Sequence, residues 1–87
     1  MRTATLTFPE AMAAALATGA KIARQGWNGS GQHVRQAGAA QVSLSDRKSV
    51  EYVHIGPFMV LHNAQGEYVP WVPSQGDMAA ADWMVLP

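Results

Sequence analysis

Two stretches of this chain concentrate the residue types that can do chemistry. The first runs Trp71-Val-Pro-Ser-Gln-Gly-Asp-Met-Ala-Ala-Ala-Asp-Trp83, and the second Ala23-Arg-Gln-Gly-Trp-Asn-Gly-Ser-Gly31. Trp27 stands in a glycine-flanked turn where no regular element covers both of its faces. It can stack on a base or sugar ring, or fold back to plug a small core. Arg24 can grip a phosphate or carboxylate with two parallel N–H bonds, although a lone arginine on a strand is more often a solvated or surface-paired charge. Ser74, opening a short helix, either offers a partly positive terminus to an anion or only caps. Gln75 carries an amide able to read a base edge. Asp77 carries a carboxylate able to accept from ribose hydroxyls or an exocyclic amine, although capping alone is the better expectation for it. Trp71 and Trp83, beside aliphatic strand residues, are expected in the core.

None of this is a catalytic pattern. His33, His54 and His62 match no compact ligand spacing, so no metal site is expected. There is no serine elbow and no Walker-type loop, and Asp77 and Asp82 lie too close in sequence for a carboxylate pair across a cleft. The residues point to a binding surface without cofactor or metal, not to an enzyme.

The elements that must position these residues belong to a small chain. Eighty-seven residues suggest one domain spanning 1–87, near the size at which a single core only just offsets chain entropy. Cysteine is absent, so neither disulfides nor thiolate metal sites can add stability, and oligomerisation is the staple that remains. Apolar residues make up 48% and charged residues 14%, against about 25% charged in an average soluble domain; part of the apolar surface is expected between subunits. Zero net charge and a pI near 6.8 exclude the broad basic field that duplex nucleic acid selects. The longest apolar-biased segment is too short to span a bilayer, and the N-terminal residues do not have the pattern of a basic region followed by a hydrophobic stretch and cleavage site, so a soluble, cytoplasmic protein is expected.

Thr7-Phe-Pro-Glu10 has the form of a capping box, and the alanine-rich run after it predicts a helix ending at Gly19, with Phe8, Met12 and Leu16 on one face. Lys21 to Arg24 predicts a short strand. Gly26-Trp27-Asn28-Gly29 predicts a turn in which Asn28 tolerates left-handed geometry, and a second strand follows at about Gln32 to Gln36. Ala37 to about Arg47 is expected as a mobile loop or an edge hairpin, and Val50 to Ile55 as a strand buried on one side. Pro57 to His62, the turn Asn63 to Gly66, and Glu67 to Val72 predict a hairpin whose return strand lies on an edge because of Pro70. Ser74 and Asp77 form a second capping box opening a helix to about Ala80, Asp82 is a turn residue, and Trp83 to Leu86 a last strand. The fold class is α+β: a small antiparallel sheet with an N-terminal helix packed on it and a short C-terminal helix.

The order helix, Ala23-Arg24, Gly26-Trp27-Asn28-Gly29, a hairpin with Gly66, Val69-Pro70-Trp71, then Ser74-Gln75, Asp77-Met78, Ala80 and Asp82-Trp83 resembles small phage and prophage proteins, the second family of Thoeris anti-defence proteins. The likeness covers both ends of the chain and not the middle, about Ala37 to Gly56. Gly76 stands where relatives usually carry threonine, and Ala79-Ala80 where a leucine-alanine pair is more usual. The resemblance implies a sponge that binds cyclic ADP-ribose isomers made by a host TIR-domain enzyme and holds them without degrading them. It further implies a homo-oligomer, commonly a tetramer built from dimers, with nucleotide pockets at subunit boundaries. Some relatives also hold cyclic di- or trinucleotides at a separate site. Trp27, Asn28, Ser74, Gln75 and Asp77 are then the expected ligand-binding residues, with Arg24 as a further phosphate contact. The rival expectation is a phage or prophage structural or protein-interaction module in which the tryptophans anchor an interface.

Overall fold

In the computed structural model of the chain, residues 5–27, 31–45 and 48–87 are described. The first helix, α1 (Phe8–Thr18), begins where the capping box predicts. The Glu10 carboxylate accepts the Thr7 N–H at 2.9 Å, and the Thr7 hydroxyl accepts the Glu10 N–H at 3.4 Å. The helix ends on Gly19, whose φ of 72° is the left-handed region that glycine enters without a Cβ clash.

The core face of α1 differs from the expected one. Ala11 and Ala15 are fully buried, Phe8 and Met12 pack beside them, and Leu16 is 54% exposed. Small residues on the contact line let the helix backbone come close to the sheet. A leucine one position round the helix from Ala15 is then carried to the flank.

Beneath α1 lies an antiparallel sheet built from β1 (Ile22–Arg24), β2 (His33–Ala37), β5 (Phe58–His62), β6 (Tyr68–Pro70) and β7 (Trp83–Val85), in the order β6-β5-β2-β1-β7. Directly paired residues share a side of a sheet. Ile22 therefore lines up with Val34, and Val34 with Leu61. Ile22 and Val34, with Ala11, Ala15 and the fully buried Trp83, form the core, and Leu61 packs against it. Pro70 does sit on the edge strand, where its missing N–H costs no ladder bond. Leu6 exchanges two backbone bonds with Trp83, at 2.7 and 3.1 Å, so the two ends of the described chain meet at β7.

The remaining strands, β3 (Ala40–Ser45) and β4 (Val50–Ile55), pair only with each other. Residues 40–45 are therefore one strand of a hairpin whose other strand is β4, and the hairpin is a ribbon separate from the main sheet and not its edge; Asp46 and Arg47 lie outside the described residues. One side of this ribbon carries Ala40, Val42, Leu44, Val53 and Ile55, with Glu51 opposite Leu44. The expectation that residues 50–55 are buried on one side is not met within the chain: of these, only Val53 is even half-buried. The alternation exists, but among the described residues no other helix or strand packs closely over it.

A second helix, α2 (Gln75–Ala79), links β6 to β7 and packs against α1. Its capping box is closed both ways: Ser74 Oγ accepts the Asp77 N–H, and Asp77 Oδ2 accepts the Ser74 N–H, both at 3.0 Å. No helix among the described residues is long and apolar enough to cross a membrane.

Candidate functional site

Arg24 ends β1 on the helix-covered side of the sheet, directly opposite Trp83 of β7. From there its guanidinium reaches two carboxylates that belong to the other chemistry-bearing stretch. Nε donates to Asp82 Oδ1 at 3.0 Å, and one Nη donates to Asp77 Oδ1 at 3.2 Å. The three side chains are half-buried, Asp77 the most deeply. The second oxygen of Asp82 accepts the Gly26 N–H at 3.2 Å, while the Gln25 N–H donates to the Asp82 carbonyl at 2.9 Å. A single arginine thus fixes the turn after β1, the start of α2 and the entry to β7 relative to one another.

Glycine at position 26 is part of this geometry. A Cβ there would lie 3.3 Å from Asp82 Oδ2, tighter than an ordinary contact and against the carboxylate that accepts the Gly26 amide. Trp27 follows at once, half-buried, and meets Trp83 edge to face with ring centroids 5.3 Å apart. Trp83 also meets Phe8 and Trp71, at 5.7 and 6.1 Å, and its indole N–H donates to the Asp77 carbonyl at 2.9 Å. Of the two alternatives for a turn tryptophan, the one observed is folding back: Trp27 packs against the core and is half-buried.

The ion cluster sets the protonation of its members. Arg24 is the main cause holding the Asp82 carboxyl below its ordinary value, with the Gly26 amide adding to it. Burial pushes the Asp77 carboxyl up, but the Ser74 amide, Arg24 and the Ser74 side chain together outweigh it, so Asp77 also lies below the ordinary value. Two carboxylates held ionised by a shared arginine are poor proton donors near neutrality. The cluster is suited to holding a shape and to accepting hydrogen bonds.

The expected site residues are placed as follows. Arg24, Trp27, Ser74 and Asp77 are brought together, in the order of a turn, a cation and a helix start. Gln75 is exposed on the first helical position of α2. Asn28 lies outside the described residues. Ser74 and Asp77 act as reciprocal caps, and Arg24 holds two carboxylates. Asp82 is more than the turn residue expected: it is the partner through which the two stretches join. Its signal was present in the sequence, because one stretch carries an arginine as its sole charge and the other carries two acidic residues and no cation.

A second cluster escaped the sequence altogether. His33 opens β2, His62 closes β5 directly opposite it, and Tyr68 opens β6 opposite His62. The two imidazoles stack, with centroids 4.9 Å apart and planes 15° from parallel, and Tyr68 stands edge-on to them. Both Nδ1 atoms lie within hydrogen-bond distance of the Gly31 carbonyl, at 2.9 and 3.2 Å. A carbonyl only accepts, so each Nδ1 carries the proton. The buried Nε2 of His33 has no hydrogen-bond partner among the described residues. Among the described residues no group of three or more potential ligands is placed to hold a metal ion.

The sequence matches the Tad2-like family, described as the Thoeris anti-defense 2-like domain, over residues 6–86. The match includes the middle segment that carried no likeness by motif. No curated protein matches the chain.

Proposed function

The chain belongs to the Tad2-like family of Thoeris anti-defense 2-like domains, and from that premise we propose that it is a phage-type sponge for a cyclic nucleotide immune signal. Anti-defence is the role that membership carries. The finer content is ours: the protein binds cyclic ADP-ribose isomers of the Thoeris system, and possible further ligands are the cyclic di- or trinucleotides of another defence system. It holds them without cleavage, as a homo-oligomer in the cytoplasm of the infected host. Trp27, Asn28, Ser74, Gln75 and Asp77 line the site, and Arg24 orders it.

The observation that carries this proposal is the junction of the two stretches through Arg24, Asp77 and Asp82. It ties the turn that leads into Trp27 to the start of α2, where Gln75 is exposed, and a nucleotide offers a base to an aromatic ring and hydroxyls and amines to amide and carboxylate acceptors. A preorganised frame of this kind favours tight binding because little ordering is left to do when the ligand arrives. Ionised, arginine-held carboxylates support retention over turnover.

The test is to incubate the purified protein with cyclic ADP-ribose isomers, remove unbound ligand, denature by heat and weigh what is released. Recovery of ligand with unchanged mass is the expected result. Failure to retain any cyclic nucleotide sinks the sponge, and a mass change turns the protein into an enzyme. The protein-interaction module remains as a second reading because the β3–β4 ribbon exposes large apolar side chains; it predicts no shift of melting temperature with any nucleotide.

A further inference from the structure

The histidine stack belongs neither to the Arg24 cluster nor to the hydrophobic core, and one of its atoms is there at a cost. Val34 lies in the core, so His33 before it and His62 opposite His33 face the other side of the sheet. His33 is only 8% exposed there, and its buried Nε2 has no hydrogen-bond partner among the described residues. An unmet buried acceptor destabilises a fold, and a phenylalanine would stack on His62 without one. What the imidazole has and phenylalanine lacks is the Nδ1–H. In both rings that group points to the same oxygen, the Gly31 carbonyl.

Gly31 closes the turn that the Arg24 cluster opens. Where the chain leaves β1, the Gly26 N–H donates to Asp82 Oδ2 at 3.2 Å. Where it rejoins the sheet, the Gly31 carbonyl accepts from His33 at 2.9 Å and from His62 at 3.2 Å, filling both of its lone pairs. Among the described residues β1 and β2 are paired only at Ile22 and Val34, so ladder bonds do little to shape the connection between them. The two donors stand on β2 and β5, which are paired from His33–His62 to Ala37–Phe58. An anchor on two joined strands cannot swing with one of them. Tyr68 of β6 stands edge-on to both rings and braces them from the side.

We propose that His33 and His62 are positioning residues for the ligand site: through the Gly31 carbonyl they hold the far end of the turn that carries Trp27 and Asn28, as Asp82 holds the near end. The assignment rests on the reading of those two residues as ligand contacts. The histidines face away from the Arg24 side of the sheet and act along the backbone, without touching the ligand. A turn held at both ends has less ordering left to do when the ligand arrives, and that is their contribution to affinity.

Two substitutions separate the donor from the ring. His62→Phe keeps a ring against His33 and removes the N–H; His62→Asn removes the ring but carries an amide N–H at the place of Nδ1. His62→Asn is expected to melt below His62→Phe, because it lacks the stack. Binding should run the other way: by calorimetry with cyclic ADP-ribose isomers, His62→Phe is expected to bind about 2- to 10-fold more weakly than the native chain, the worth of one hydrogen bond, and His62→Asn to bind as the native chain does. Amide exchange in the free protein gives a readout without ligand. The Trp27 N–H, which donates to the Arg24 carbonyl, is expected to exchange about 2- to 10-fold faster in His62→Phe and at the native rate in His62→Asn. If His62→Asn does not fold, the native and His62→Phe exchange rates decide alone. Native affinity with native Trp27 exchange in His62→Phe overturns the proposal, as does an order of affinities that follows the melting temperatures. A native chain that retains no cyclic nucleotide fails the sponge and its ligand site, whereas unchanged Trp27 exchange fails the histidine anchor itself, so the two failures are told apart.

Discussion

Arg24 Nε donates to Asp82 Oδ1 at 3.0 Å, across 58 residues of chain. That one contact, with the Arg24 to Asp77 bond beside it, makes the turn after β1 and the segment from Ser74 to Trp83 a single unit. Several measurable properties depend on it.

The first is acid sensitivity. Asp77 and Asp82 both titrate below their ordinary values in the folded chain. Between the folded and unfolded values the unfolded chain binds more protons, so stability rises with pH there. The contribution is complete above about pH 4 and is lost as pH falls through the lower folded values. Melting temperatures between roughly pH 2 and pH 6 should show this loss. Asp82→Asn should shallow the slope, and a slope identical to that of the native chain would remove the ion cluster from the account.

Trp83 is fully buried and meets three other aromatic rings. Trp83→Ala should cost about 3–5 kcal/mol, comparable to the whole stability of a small domain, and leave the chain largely unfolded. Trp83→Phe keeps the ring contacts but strands the Asp77 carbonyl that accepts the indole N–H. It should cost about 1–3 kcal/mol, read as a shifted urea midpoint at unchanged slope.

Gly76 occupies the second position of α2, where a Cβ would sit 3.7 Å from Ser74 Oγ, an ordinary contact. Gly76→Ala should therefore stabilise the chain by about 0.5–1 kcal/mol through the lower entropy of the unfolded state. Ser74→Ala should act oppositely, by about 1 kcal/mol, because it opens the capping box. Thermal melts of the two variants separate these signs.

Trp27 bears on function directly. Stacking of a base on an aromatic ring is worth about 1–3 kcal/mol, so Trp27→Ala should weaken cyclic nucleotide binding about 5- to 150-fold by calorimetry. Wild-type affinity in a folded Trp27→Ala variant would move the ligand elsewhere on the surface.

How much of this was legible in the sequence follows from the range of each interaction. Both capping boxes, Thr7 with Glu10 and Ser74 with Asp77, close within three residues, and local spacing announces them. The edge position of Pro70 follows from its missing donor. Leu16 was misplaced because the choice between alanine and leucine as core residue depends on how near α1 approaches the sheet, which no helical period contains. The stack of His33 on His62 depends on the register of β2 against β5, a long-range property in which a slip of one residue would send the rings to opposite sides. Val50 to Ile55 alternates as a half-buried strand should, yet its apolar side is bare, because alternation says which residues share a side and not whether another element lies over it.

The bridge between Leu6 and Trp83 has a consequence for how the protein comes into being. The core's largest fully buried side chain and one of the two strands that flank β1 both lie on β7, so a nascent chain still lacking residue 83 has neither. Folding cannot be completed segment by segment as the ribosome extends the chain, and the sheet must close after synthesis has passed Trp83. During that interval β1 is an edge strand whose unpaired N–H and C=O groups are open to another chain.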